Sequence, residues 1–110
     1  MYNIFEELEE KVLNWAYVKG ILGHTEDGPE LKERKMKQLG KFEEESVEFM
    51  DAVHSGDVDD IRDELGDVLV TLVIQANLWG LNLTECLDEA YNKISVRTGR
   101  MVDGVFVKDE

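Results

Sequence analysis

Two stretches decide how this chain folds: KFEEESVEF at residues 41–49 and DDIRDELGDVLVTLVIQANLW at residues 59–79. Each reads as a helix with an acidic edge. At about 100° per residue, Leu39, Phe42, Phe49, Met50 and Val53 gather within roughly a quarter turn and define an apolar face. Glu45 falls on the edge of that face, between Phe49 and Ala52, and Glu48 lies one step further round. Glu43 and Glu44 point elsewhere, Glu44 nearly opposite the apolar centre. In the second stretch Asp60, Glu64, Asp67, Thr71 and Gln75 form one narrow polar stripe. Ile61, Leu65, Val68, Leu69, Leu72, Val73, Ala76 and Trp79 make one apolar face, and Val70 and Ile74 add a second. A helix that apolar is covered on more than one side, by its own chain and by another subunit, so a homodimer or a dimer of dimers is expected.

Working outward, Ile4, Leu8, Val12, Trp15 and Ala16 keep helical spacing over residues 3–19, with Asn3 as N-cap. GILGHTEDGPELKERK, residues 20–35, holds three Gly and the only Pro and reads as a loop feeding the second helix. That helix runs from about Lys35 to His54 and breaks at Ser55-Gly56. Asp57 or Asp59 caps the third, which continues to about Trp79. Thr84 is the expected N-cap of a fourth helix, near Glu85 to Thr98, with Gly99 just past its end. RMVDGVFVK then alternates around Asp103-Gly104, which predicts a short hairpin. The expected fold is all-α, a four-helix bundle-like single domain over residues 1–110 with a short C-terminal hairpin.

Composition narrows the partners. The 110 residues carry a formal net charge of −13, which argues against a direct grip on a nucleic-acid polymer or an anionic membrane, because both need clustered Lys and Arg. An anionic ligand would need a cation to mediate. Cys86 is alone, so no intrachain disulfide forms, and the longest apolar run, Val68 to Ile74, is far too short to span a bilayer. MYNIFEELEEK lacks the basic and apolar regions of a secretion signal. These features predict a cytoplasmic protein.

The acidic edges carry the chemistry. Glu45/Glu48 and Glu64/Asp67 are i, i+3 pairs at nearly equal distances from Ser55-Gly56-Asp57, so an antiparallel hairpin would make them face each other. Carboxylates about 4 Å apart at an effective dielectric of about 20 repel by on the order of 4 kcal/mol per pair, too much for a marginally stable domain unless something offsets it. Within residues 43–67 only His54 and Arg62 could do so, and a divalent cation is the better explanation. All-oxygen ligands suit Mg²⁺ or Mn²⁺. The competing reading of any one pair is a solvated Glu-rich face. An EF-hand is excluded at Asp57–Arg62, because Ile61 occupies the fifth position and Arg62 the required glycine position.

These residues resemble the all-α nucleoside triphosphate pyrophosphohydrolases of the MazG-like group, relatives of dimeric dUTPases and phosphoribosyl-ATP pyrophosphohydrolases. The family pattern E-E-x-x-E, spacer, E-x-x-D reads here as Glu44-Glu45-Ser46-Val47-Glu48 and Glu64-Leu65-Gly66-Asp67. The flanking words QLGKFEEE and YNKISVRTGRM are also similar, and the resemblance runs from Trp15 to VDGVFVK. It implies hydrolysis of a nucleoside triphosphate between its α- and β-phosphates, giving the monophosphate and pyrophosphate. It further implies Glu45, Glu48, Glu64 and Asp67 as Mg²⁺ ligands, with Mn²⁺ as a substitute, and a site completed at a subunit interface.

Glu44 and Glu48 are the expected catalytic carboxylates. Glu44 could act as general base, hold a water behind the metal or contact a neighbouring subunit. Lys93 and Arg97, with Asn92, would bind substrate from the side opposite the metal, the alternative being a solvated helix end. Lys41 would reach phosphate or pair with Glu44 or Glu45, and Gln38 would read a base edge or remain a surface amide. Trp15 is the aromatic best placed to stack on a base, whereas Trp79 is expected in the core, and His24 and His54 have no expected role. The rival from another class is a non-enzymatic acidic helical adaptor; within the superfamily a dUTPase-like or phosphoribosyl-ATP enzyme would share the metal chemistry and differ in substrate.

Overall fold

A computed structural model describes residues 3–23 and 28–110 as four helices and a hairpin: α1 (Ile4–Val18), α2 (Gly28–Ser55), α3 (Val58–Leu78), α4 (Leu83–Ile94), β1 (Gly99–Val102) and β2 (Val105–Lys108). The fold is the all-α arrangement with a short C-terminal hairpin that the periodicity predicts. Asn3 caps α1 by accepting the Glu6 N–H at 3.1 Å, and Glu6 and Glu7 place negative charge where the helix dipole favours it.

Three boundaries differ from the sequence expectation. First, α2 starts at Gly28, well before Lys35. Pro29 reads as a breaker, yet it stands in the first helical turn, where its missing N–H costs no hydrogen bond and its fixed φ suits the helix. His24, in the segment read as a loop, lies outside the described residues. Second, Asn82 and not Thr84 caps α4, accepting the Glu85 N–H at 3.1 Å. Third, α4 ends at Ile94, so Arg97 and Thr98 lie beyond it and Gly99 opens β1 rather than ending a helix.

Thr84 answers instead to a residue 75 positions away. The Glu9 side chain, on α1 and only 3% exposed, accepts the N–H groups of Leu83 at 2.6 Å and Thr84 at 3.3 Å and the Thr84 hydroxyl at 2.7 Å. A buried carboxylate thus occupies the positive end of α4 and ties it to α1.

Helix α3 is the hub, packing against α1, α2 and α4. Ala16, Leu22, Ile74 and Leu78 form the buried core, with Leu13, Tyr17, Ile21, Leu31 and Val70 packed around it. Trp79 is not in that core. It is 60% exposed, and Leu65, Met50 and Val53 on the predicted apolar faces are also largely exposed.

The connection from α2 to α3 is Gly56-Asp57 alone. Gly56 adopts a φ of +76° and returns its N–H to the Ala52 and Val53 carbonyls, while Asp57 accepts the N–H groups of Asp59 at 3.0 Å and Asp60 at 3.3 Å. So tight a turn forces the two helices into an antiparallel pair.

The hairpin pairs Gly99 with Lys108 and Met101 with Phe106, and it turns at Asp103 and Gly104, both at positive φ as a two-residue primed turn requires. Its strands pack on each other and on no helix. A Cβ at Gly99 would run into the Val107 carbonyl oxygen and meet Phe106 ring carbons at 2.6 and 2.8 Å. Gly99→Ala is therefore expected to unpair the strands and leave the helices intact, read as lost amide protection over 99–108 with unchanged helical circular dichroism.

Candidate metal centre

The turn at Gly56-Asp57 sets the register of the acidic edges. Glu45 and Glu48 on α2 and Glu64 on α3 each offer one carboxylate oxygen, and these oxygens lie within 4.8 Å of one another. Asp67, one turn beyond Glu64, stands outside that triplet, and it shares with Glu45 the lining of a cleft of about 230 Å³. Its charge acts on both Glu45 and Glu64.

Electrostatics mark this spot as incomplete. One oxygen of Glu45 and one of Glu64, the Oε2 atoms, are buried with no hydrogen-bond partner. Loss of solvation pushes the Glu45 carboxyl above its ordinary pKa, and the Glu48 carboxyl beside it and the Asp67 charge push it further, against a small pull from Lys41. Glu64 is raised in the same way, by burial first and then by Glu48, Asp67 and Glu45. On the outer side Lys41 bonds Glu44 at 3.2 Å and lies 4.0 Å from Glu45, and the Glu44 carboxylate raises the lysine pKa.

A set of oxygen donors with two orphaned buried atoms fits a hard divalent cation, which would satisfy those atoms and cancel the repulsion together. Residues of this set would hold the ion; thiol and imidazole donors are absent from it.

A pH prediction follows from the raised pKa values. Carboxyls that hold their protons more tightly in the folded chain than in the unfolded one contribute stability that is complete below the ordinary carboxylate pKa of 4.5 and lost as pH rises through the folded values. Protons compete with metal over the same window. Added Mg²⁺ is expected to raise the melting temperature clearly at about pH 7.5 and barely at about pH 5, as thermal scans at paired pH values would show.

The other candidate residues divide into two groups. Gln38 and Lys41 on α2 line the 230 Å³ cleft together with Glu45, Asp67 and Trp15, which projects from α1. Glu44 faces outward. Asn92, Lys93 and Arg97 are exposed and line neither this cleft nor the one beside it, and α4 packs on α1 and α3 but not on α2. One chain alone does not bring them to the carboxylates.

Two acidic residues receive no role from the sequence reading. Asp51 and Asp60 line, with Glu48, Glu64, Ala52 and Ser55, a second cleft of about 370 Å³ on the turn side of the triplet. For Asp51 the available signal is its i, i+3 spacing from Glu48.

Residues 35–102 match the model of the MazG nucleotide pyrophosphohydrolase domain. The match takes in well over half of the chain, and the protein belongs to this family. Its members are nucleotide pyrophosphohydrolases that generally depend on a divalent metal. The acidic pairs, Gln38, Lys41, Asn92, Lys93 and Arg97 all fall inside the matched segment, whereas α1, with Glu9 and Trp15, precedes it. No curated protein and no solved structure matches the chain significantly. Among the described residues, no helix is long and apolar enough to cross a membrane.

Proposed function

We propose that this protein is a cytoplasmic, Mg²⁺-dependent enzyme that hydrolyses nucleoside triphosphates, ribo or deoxy, between the α- and β-phosphates, with Mn²⁺ as a substitute metal. The observation that carries the reading is the pair of orphaned, buried carboxylate oxygens on Glu45 and Glu64 inside a triplet that spans two helices. A solvated acidic face would leave its oxygens to water.

In this reading Glu45, Glu48, Glu64 and Asp67 hold the metal. When bound, Mg²⁺ neutralises phosphate charge and acidifies the attacking water. Glu44 or Glu48 accepts the proton that the water loses as it adds to phosphorus. The oxygen bridging the α- and β-phosphorus atoms departs, giving nucleoside monophosphate and pyrophosphate. Lys41 exchanges its bond to Glu44 for a phosphate oxygen, and Gln38, on the same cleft wall, meets the base edge.

Asn92, Lys93 and Arg97 act from a second copy, in a homodimer or a dimer of dimers. Two features support this arrangement: α4 does not pack on α2 within one chain, and the apolar side chains of Leu65, Leu87, Tyr91 and Ile94 are exposed.

The test is a panel of canonical and modified nucleoside triphosphates, with and without Mg²⁺, resolving monophosphate plus pyrophosphate from diphosphate plus phosphate. Metal-dependent pyrophosphate release is the expected result, and turnover of dUTP alone would mark a dUTPase-like preference. Diphosphate plus phosphate as products would overturn the assignment of the α–β bond, and no turnover by folded protein across the panel would overturn the reading in favour of an acidic adaptor.

A further inference from the structure

Gln75 of α3 joins three groups at the end of the helical pair away from its turn. Its amide nitrogen donates to the Lys35 carbonyl at 3.0 Å, its amide oxygen accepts the Trp79 indole N–H at 2.9 Å, and the Lys35 ammonium lies 3.9 Å from the centre of the Trp79 ring. The neighbouring Arg34 donates to the Gly20 carbonyl at 3.1 Å and to the Ile21 carbonyl, just after α1. The first half of α2 is thereby held by polar bonds at two consecutive residues, one to each neighbouring segment.

Gly40 lies between that anchored stretch and the carboxylates. Glycine is the poorest helix former after proline, and nothing approaches the place where a Cβ at Gly40 would stand. No contact therefore requires a glycine there, and the lowest helix propensity in the interior of α2 falls where the Gln38 segment meets the metal-bearing segment. Gln38 sits one turn after Lys35 and lines the substrate cleft together with Thr71 and Ile74 of α3. Its position depends on what pins α2 ahead of Gly40.

We propose that the Gln75, Trp79 and Lys35 cluster is a latch that positions Gln38 for substrate, with Gln75 as the positioning residue and Gly40 as the soft point that makes a latch necessary. The latch sets substrate affinity and leaves the metal centre alone, because Glu45 and Glu48 lie beyond Gly40 and close to the tight turn. This inference rests on the proposed nucleotide site.

The experiment compares wild type, Gln75→Leu, Trp79→Phe, and Gln75→Leu combined with Gly40→Ala. It reads amide exchange over residues 36–42, Mn²⁺ affinity by titration, and KM and kcat on the best triphosphate of the panel. Gln75→Leu is expected to speed exchange in that segment about tenfold and to raise KM about tenfold, as a shift of a binding group by a fraction of an ångström does. Mn²⁺ affinity and kcat should stay within about threefold of wild type. Trp79→Phe keeps the ring under Lys35 and removes the indole donor, so its effects should have the same direction and be smaller. Adding Gly40→Ala should recover most of the lost affinity by stiffening α2.

Unchanged exchange in Gln75→Leu would overturn the latch. Faster exchange with unchanged KM, or a fall in kcat and melting temperature at constant KM, would show a merely structural contact and overturn the positioning role. No turnover by wild type would overturn the functional reading and the KM claim with it, while the exchange data would still decide whether the latch exists.

Discussion

Glu45→Gln and Glu64→Gln are each expected to cut metal-dependent hydrolysis by more than about 100-fold, beyond what loss of a residue supporting a metal ligand brings. Both substitutions should leave the metal-free protein at least as heat-stable as wild type. Each side chain carries a buried, unpartnered oxygen, and burial first and then the neighbouring like charges raise its pKa. Replacing one carboxylate by the isosteric amide removes repulsion and supplies a donor to the other carboxylates. Activity and stability therefore move in opposite directions, a separation that simple misfolding cannot produce. Rates with excess Mg²⁺ and melting curves in chelator, on the same preparations, would check it. An adaptor would keep its properties in both variants and show no response to Mg²⁺.

Glu9→Ala should act in the other way, on the fold. The buried Glu9 carboxylate takes three hydrogen bonds from Leu83 and Thr84 at the start of α4, and truncation strands two backbone N–H groups and a hydroxyl. A cost of about 3 kcal/mol is expected for losing charge-assisted bonds at a partly buried helix start, or roughly 13 °C in melting temperature for a domain of this size. Glu9→Gln keeps an acceptor in place and should lose less than half as much. Melting curves of the two variants give the comparison, and equal losses would mean that the charge and not the hydrogen bonding matters.

The helical pair was legible because its signals are local. The 3.6-residue periodicity of Leu39, Phe42 and Phe49, the Ser55-Gly56-Asp57 break and the i, i+3 acidic pairs lie within forty residues of one another, and together they place Glu45, Glu48 and Glu64 side by side. The start of α2 is not legible in the sequence because Pro29 signals a break or a first turn equally well, and the choice depends on Leu31 packing against the core. Thr84 reads as a cap from sequence because the acceptor that engages it, Glu9, is 75 positions away and carries no local mark. Trp79 fits an apolar stripe by angle, yet it is the C-cap of α3, where Leu78 turns into the core and the Trp79 indole stays on the exposed side to serve Gln75 and Lys35. A fourth helix read as running to about Thr98 contains both Lys93 and Arg97, but the helix stops at Ile94.

The most direct measurement is a titration of the metal-free protein with Mn²⁺ near pH 7.5, following free ion by electron paramagnetic resonance, beside Glu45→Gln. Saturable binding that Mg²⁺ displaces, and that the substitution weakens by at least about tenfold, is the predicted result. Binding that fails to saturate, or that survives the loss of the Glu45 carboxylate unchanged, would contradict the assignment of this cluster as the metal centre.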